Sequence, residues 1–180
     1  MDATRWFPAY VALGSNLDDP PAQVARAFSA LEGLRGSRMV ARSSLYRSRP
    51  FGPVAQPDFV NAVAGLLTTL DAALEERLGR ERPVVRWGPR RIDLDLLVHG
   101  TTRIDEAQLK VPHPGIAERA FVLTPLAELA PDVFETRYAG FRQIGIQRER
   151  QPAHGRRFFI GIQFRELLER DFQLALADEA

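Results

Sequence analysis

The chain has 180 residues, 45% of them hydrophobic and 26% charged, which is the make-up of one ordinary domain large enough to bury a core. Its 24 Lys and Arg against 23 Asp and Glu leave a net charge of +1, so no global field draws it to nucleic acid or an anionic membrane. It contains no cysteine, which removes disulfides, thiolate zinc sites and cysteine nucleophiles together.

Phe7 to Leu13 mixes aromatic and aliphatic residues and stops at Gly14-Ser15-Asn16, a strand ending in a turn. Asp18-Asp19-Pro20-Pro21 starts a helix, with Val24, Ala27, Phe28, Leu31 and Leu34 on its apolar stripe and Gly33 and Gly36 at its end. Met39 to Ser48 suits one half-buried strand, and Arg49 to Asp58, with three prolines and a glycine, is a shaped loop. Phe59 to Leu70 reads as a second long strand. Asp71 caps a second helix with Ala72, Leu74 and Leu78 on its stripe. Gly79 opens another irregular segment, Arg80 to Arg91, before a strand from Ile92 to Val98.

The order of strands and helices, βαββαβ, predicts an α+β, ferredoxin-like sandwich with helices packed on a central antiparallel sheet. Beyond Gly100, Leu109 to Pro114 is extended, and Ala117 to Ala130 is helical with an interruption at Pro125. From Arg137 the character changes, with six Arg against one acid, Glu149, in residues 137–157. A strand over Arg157–Phe164 and a short helix over Arg165–Ala177 are expected in this tail. The predicted division is one domain over residues 1–136 and an extension over 137–180, packed on that domain or flexibly attached to it. MDATRWFPAY has no signal-like pattern, and no run reaches roughly 18 apolar residues, so a soluble cytoplasmic protein is expected.

Asp93 and Asp95 carry the sharpest chemical signal. On a strand they point to one face, with Leu94 and Leu96 on the other. Two carboxylates about 7 Å apart along one strand repel unless a cation or proton lies between them. A bare Asp-x-Asp is more often a solvated strand face. Here, however, Arg80, Arg82, Arg86, Arg90 and Arg91 lead straight into it, along a loop that also holds Trp87. Mg²⁺ with arginines beside it suits the charge of phosphoryl or pyrophosphoryl transfer. No Walker loop or dinucleotide fingerprint is present. His113, between two prolines, serves either a structural role or a phosphate. Asn61, in an apolar run, is either a satisfied core amide or a reader of an amide-like heterocycle.

Taken together, several blocks resemble one family closely, the 6-hydroxymethyl-7,8-dihydropterin pyrophosphokinases of folate biosynthesis. They are Ala12–Leu17, Ser43–Tyr46 with Pro50–Pro53, Gln56–Asn61, Glu75 with Leu78–Arg80, Arg86–Arg90 with Ile92–Asp95, and Val111–Pro114 with Arg119–Leu123. The resemblance implies transfer of pyrophosphate from ATP, as co-substrate, to the dihydropterin, with release of AMP. It implies two Mg²⁺ ions held by Asp93 and Asp95, with Arg80 and Arg90 beside them in the catalytic set. ATP would be held by Arg82, Trp87, Arg90, His113 and Arg119. The pterin would stack between Phe59 and Phe121 and be read by Asn61 and the backbone of the Ser48–Phe51 loop. The implied partners are small molecules only, with no nucleic acid and no membrane, and a monomer and no fused dihydropteroate synthase or aldolase are expected. The sequence departs from the family at Arg91, where Thr is commoner, at Gly115, where a basic residue often follows His-Pro, and at Pro83 and Val84. A binding protein without turnover and a nucleic-acid module are the rival readings. The intact Asp93, Asp95 and Arg90 argue against the first, and the near-zero charge argues against the second except for the basic stretch 137–157, the one segment to test for RNA or acidic partners.

Overall fold

The computed structural model describes residues 5–70, 88–107, 109–131 and 146–148 of the chain. Strand β1 (Phe7–Ser15) runs into helix α1 (Pro20–Glu32), followed by β2 (Ser37–Arg42), β3 (Tyr46–Ser48) and β4 (Phe59–Thr68). Then come β5 (Asp93–His99), the short pair β6 (Ile104–Asp105) and β7 (Lys110–Val111), helix α2 (Ala120–Leu129) and β8 (Ile146–Arg148). The main sheet has the order β5-β1-β4-β3-β8, with β2 also on β4, and every neighbouring pair is antiparallel. This is the α+β, ferredoxin-like arrangement that the sequence predicts. The expected helix over Asp71–Leu78 lies outside the described residues, as do the strand and helix expected beyond Arg157.

Alternation along β1 divides the core into two layers. Val11 and Leu13 join Val60, Leu66, Leu94 and Leu96 under Val24, Phe28 and Leu31 of α1. Tyr10, Val63 and Leu97 face the other way, against Val122, Leu123, Leu126 and Leu129 of α2. Asp19 caps α1 by accepting from the Ala22 N–H at 3.4 Å, with Pro20 in the first turn.

Two expectations about the elements need correction. Met39 to Ser48 is two strands, because the Ser43 hydroxyl replaces a ladder group. It accepts from the Val63 N–H and donates to the Ser44 carbonyl, which turns the chain between β2 and β3. Pro125 does not interrupt α2, since losing one helical hydrogen bond is outweighed by burial of Val122, Leu126 and Leu129 on either side of it. His99, at the end of β5, is buried and hydrogen-bonded to the Thr102 hydroxyl and the Leu70 carbonyl.

Tyr10 is 1% exposed, burial pushes its hydroxyl pKa up, and that hydroxyl finds no hydrogen-bond partner among the described residues. Tyr10→Phe keeps the shape and removes the desolvated group, so it should raise stability by about 1 kcal/mol. For a chain of this size that is roughly 2–4 °C in Tm by calorimetry, and a fall in Tm would contradict it.

Candidate active site

The residues singled out in the sequence meet at one end of the sheet face that α2 covers. Asp93 lies opposite Gly14 of β1, Gly14 lies opposite Asn61 of β4, and Asn61 lies opposite Tyr46 of β3. Cross-strand partners point to the same face, so acid, glycine and amide form one row. Strand spacing puts the Asp93 and Asn61 backbones about 10 Å apart. The floor between them is Gly14, flanked along β1 by Ala12, which pairs with Asp95. A Cβ on Gly14 would come 3.3 Å from Asn61 Oδ1, so the glycine leaves room for the amide to lie across it.

The two carboxylates are mostly withdrawn from solvent, at 19% and 14% exposed, and the Oδ1 atom of each is buried. Arg90 Nη1 pairs with Asp93 Oδ2, and Arg119 Nη1 lies 4.0 Å from Asp95 Oδ2. Arginines thus supply the positive charge beside this pair. Two buried-side carboxylates on one strand face, with open floor beside them, fit Mg²⁺, which takes one or two protein carboxylates and completes its shell with substrate phosphates and water.

His113 and Arg119 come together through Gly115. The Gly115 N–H donates to His113 Nδ1 at 3.0 Å, which leaves the ring hydrogen of the neutral form on Nε2. A Cβ on Gly115 would come 2.6 Å from Arg119 Nε and 3.0 Å from His113 Cε1. The departure from the family at this position therefore has a physical reason: the missing side chain is the space in which the guanidinium lies. The first turn of α2 holds Arg119 from behind, because its carbonyl accepts from the Val122 and Leu123 N–H groups. Gly115→Ala should leave Tm within about 1 °C, since the clash falls on the mobile end of a side chain, yet push the guanidinium off Asp95. With Arg119 on ATP, as the resemblance implies, the KM for ATP should rise several-fold in steady-state assays, and an unchanged KM would contradict the packing argument.

On the other side of the floor, Asn61 is 5% exposed and its Nδ2 donates to Ser48 Oγ at 2.9 Å and the Tyr46 carbonyl at 3.3 Å. Phe59 pairs with Ser48 and shares this face with Asn61. Phe121, at the start of α2, meets the ring of Phe51 with centroids 6.4 Å apart and planes tilted by 59°. Phe51 stands 53% exposed on the loop. The structure therefore gathers Arg90, Asp93, Asp95, His113 and Arg119 on one side and Ser48, Phe51, Phe59, Asn61 and Phe121 on the other. Arg80, Arg82 and Trp87 lie outside the described residues.

The family model of 7,8-dihydro-6-hydroxymethylpterin-pyrophosphokinase (HPPK) matches residues 10–131, which span all of this geometry. The chain belongs to the HPPK family. It is 52% identical over 132 residues to the 2-amino-4-hydroxy-6-hydroxymethyldihydropteridine pyrophosphokinase of Pseudomonas aeruginosa, covering 69% of this chain and 81% of that one. The protein of the same name from Haemophilus influenzae is 42% identical over 133 residues, covering 69% and 82%. Solved structures of Plasmodium falciparum HPPK-DHPS match with TM-scores of 0.57 and 0.51 at 12% and 13% identity, a likeness of fold. They are covered over 82% and 69% of this chain, which spans only 49% and 41% of theirs.

Two residues of this HPPK chain matter at the site although their sequence context gives them no role. Asn16, 3% exposed, ties the two loops that flank the site. Its Nδ2 donates to Gln56 Oε1 at 3.0 Å and the Pro57 carbonyl at 3.1 Å, and its Oδ1 accepts from the Arg90 N–H at 2.8 Å. A polar residue directly between a strand and a helix, inside the family-like block Ala12–Leu17, is the signal of this in the sequence. The second is Glu128 on α2, which bonds to Ser44 and Tyr46.

Proposed function

We propose that this chain transfers the β,γ-pyrophosphoryl group of ATP to 6-hydroxymethyl-7,8-dihydropterin in folate biosynthesis. The pterin hydroxymethyl oxygen bonds to the β-phosphorus, the bond from that phosphorus to the α,β-bridging oxygen breaks, AMP leaves and the hydroxyl proton is released. The observation that carries this reading is the cross-strand row in which the Asp93 carboxylate and the Asn61 amide face one floor over Gly14. Membership of the HPPK family supports it.

In this reading Asp93 and Asp95 hold two Mg²⁺ ions, which when bound neutralise charge on the phosphates. Arg90 and Arg119, already beside the carboxylates, turn their guanidinium groups to phosphate oxygens, for which their fork geometry suits them. His113 donates from Nε2 to the same phosphates. Arg80, Arg82 and Trp87 belong to the loop that closes over ATP. Asn61 reads the polar edge of the pterin together with the Ser48–Phe51 backbone. Phe59 and Phe121 take the heterocycle between their rings, and Phe51 closes from the loop. The reaction needs no covalent nucleophile, because orientation, charge neutralisation and exclusion of water lower the barrier. Residues 1–136 form the catalytic unit, and the extension over 137–180 contributes β8 to its sheet.

A coupled assay for AMP tests this reading. Release of AMP should require both Mg²⁺ and the dihydropterin, and release that ignores the pterin would contradict it.

A further inference from the structure

We propose that Glu128 is a positioning residue that sets the width of the pterin pocket by fixing α2 to the strand that carries Ser48. The proposal rests on the reaction argued above. Glu128 lies near the end of α2, two turns and about 10 Å beyond Phe121. Its Oε2 accepts from the Ser44 N–H at 2.8 Å and the Tyr46 hydroxyl at 2.9 Å, and its Oε1 accepts from the Ser44 hydroxyl at 2.9 Å. One carboxylate thus holds both the break between β2 and β3 and the first residue of β3. Two residues further on, Ser48 accepts the hydrogen bond that orients the Asn61 amide.

The helix therefore carries one aromatic wall of the pocket at its start and a clamp on the opposite wall near its end. Ser43 holds the same segment from the other side, through the N–H and carbonyl of Val63. With the segment fixed to β4 by Ser43 and to α2 by Glu128, the gap between Phe121 and the Phe59–Asn61 strand is set before any ligand arrives. A flat heterocycle is sensitive to that gap, because ring contacts weaken within a fraction of an ångström of separation. The nucleotide side has further anchors that Glu128 does not touch, in the bond from the Arg90 N–H to Asn16 and the packing of Gly115 against His113 and Arg119. A defect at Glu128 should therefore fall mainly on the pterin.

Glu128→Gln puts one donor where the carboxylate has an acceptor, so the Ser44 N–H, the Ser44 hydroxyl and the Tyr46 hydroxyl can no longer all be satisfied. The full chain and this variant are titrated with a fluorescent oxidised 6-hydroxymethylpterin and, separately, with MgATP, and their turnover is measured at saturating pterin. The expected result is an affinity for pterin about ten-fold weaker, an ATP affinity within two-fold of wild type, and kcat within three-fold. Tyr46→Phe removes one of the three donors and should weaken pterin about three-fold with the same selectivity; it carries the test if Glu128→Gln does not fold. Equal losses for both ligands, or a pterin affinity within two-fold of wild type in the variant, would overturn the proposal. Failure of the wild-type chain to bind pterin would instead overturn the proposed reaction, so the two failures read differently.

Discussion

Replacing either carboxylate of the acidic pair should cut turnover by about 100-fold or more while the protein still folds. Asp93→Asn and Asp95→Asn keep the size of the side chain and remove charge where a cation and phosphates must be held, a change of the kind that costs two to three orders of magnitude. Stability should shift by no more than about 2 kcal/mol. The partly exposed pairs to Arg90 and Arg119 are lost, but so is repulsion between two carboxylates on one strand face. Pterin affinity without nucleotide should hardly change, since Asn61 lies two strands away. Leu94→Asn is the control. Leu94 sits between the two acids but is 8% exposed in the core under α1. It should cost about 3 kcal/mol in denaturant unfolding, while the folded fraction keeps its turnover. Normal magnesium-dependent AMP release by either Asn variant would place the metal elsewhere.

Phe121→Ala should weaken pterin binding by about 10-fold to 100-fold and leave ATP binding within about two-fold. Stacking a flat heterocycle on an aromatic ring is worth on the order of 1–3 kcal/mol, by analogy with nucleobases. Phe121 is only partly buried, packs on the α2 core from outside its buried cluster and meets the exposed Phe51, so its loss opens the pocket more than the fold. Paired titrations check this, and equal losses for the two ligands would make Phe121 a core residue.

The parts of this account that were legible in the sequence are those set by local periodicity. β1, α1, β4 and β5 stand where apolar spacing puts them, and a period of two was enough to place Asp93 and Asp95 on one face and Leu94 and Leu96 on the other. The pairing of Asn61 with Ser48 was not legible, because it depends on which strand lies beside β4 and in what register. Asn16 and Glu128 were missed for a similar reason: their partners lie 40 to 84 residues away along the chain. Gly115 stands out in the sequence only as a departure from the family pattern. The structure gives it a use that only the fold reveals, as the slot for Arg119. β8 was hidden because a three-residue strand owes its existence to the edge of β3 that it pairs with, not to its own pattern.

The central claim is transfer of two phosphoryl units at once, and ATP labelled in its β-phosphate tests it most directly. Incubated with this chain, Mg²⁺ and 6-hydroxymethyl-7,8-dihydropterin, the label should appear on the pterin, with one unlabelled AMP formed for each labelled product. Label recovered in ADP, or in free phosphate while the pterin stays unlabelled, would contradict the account.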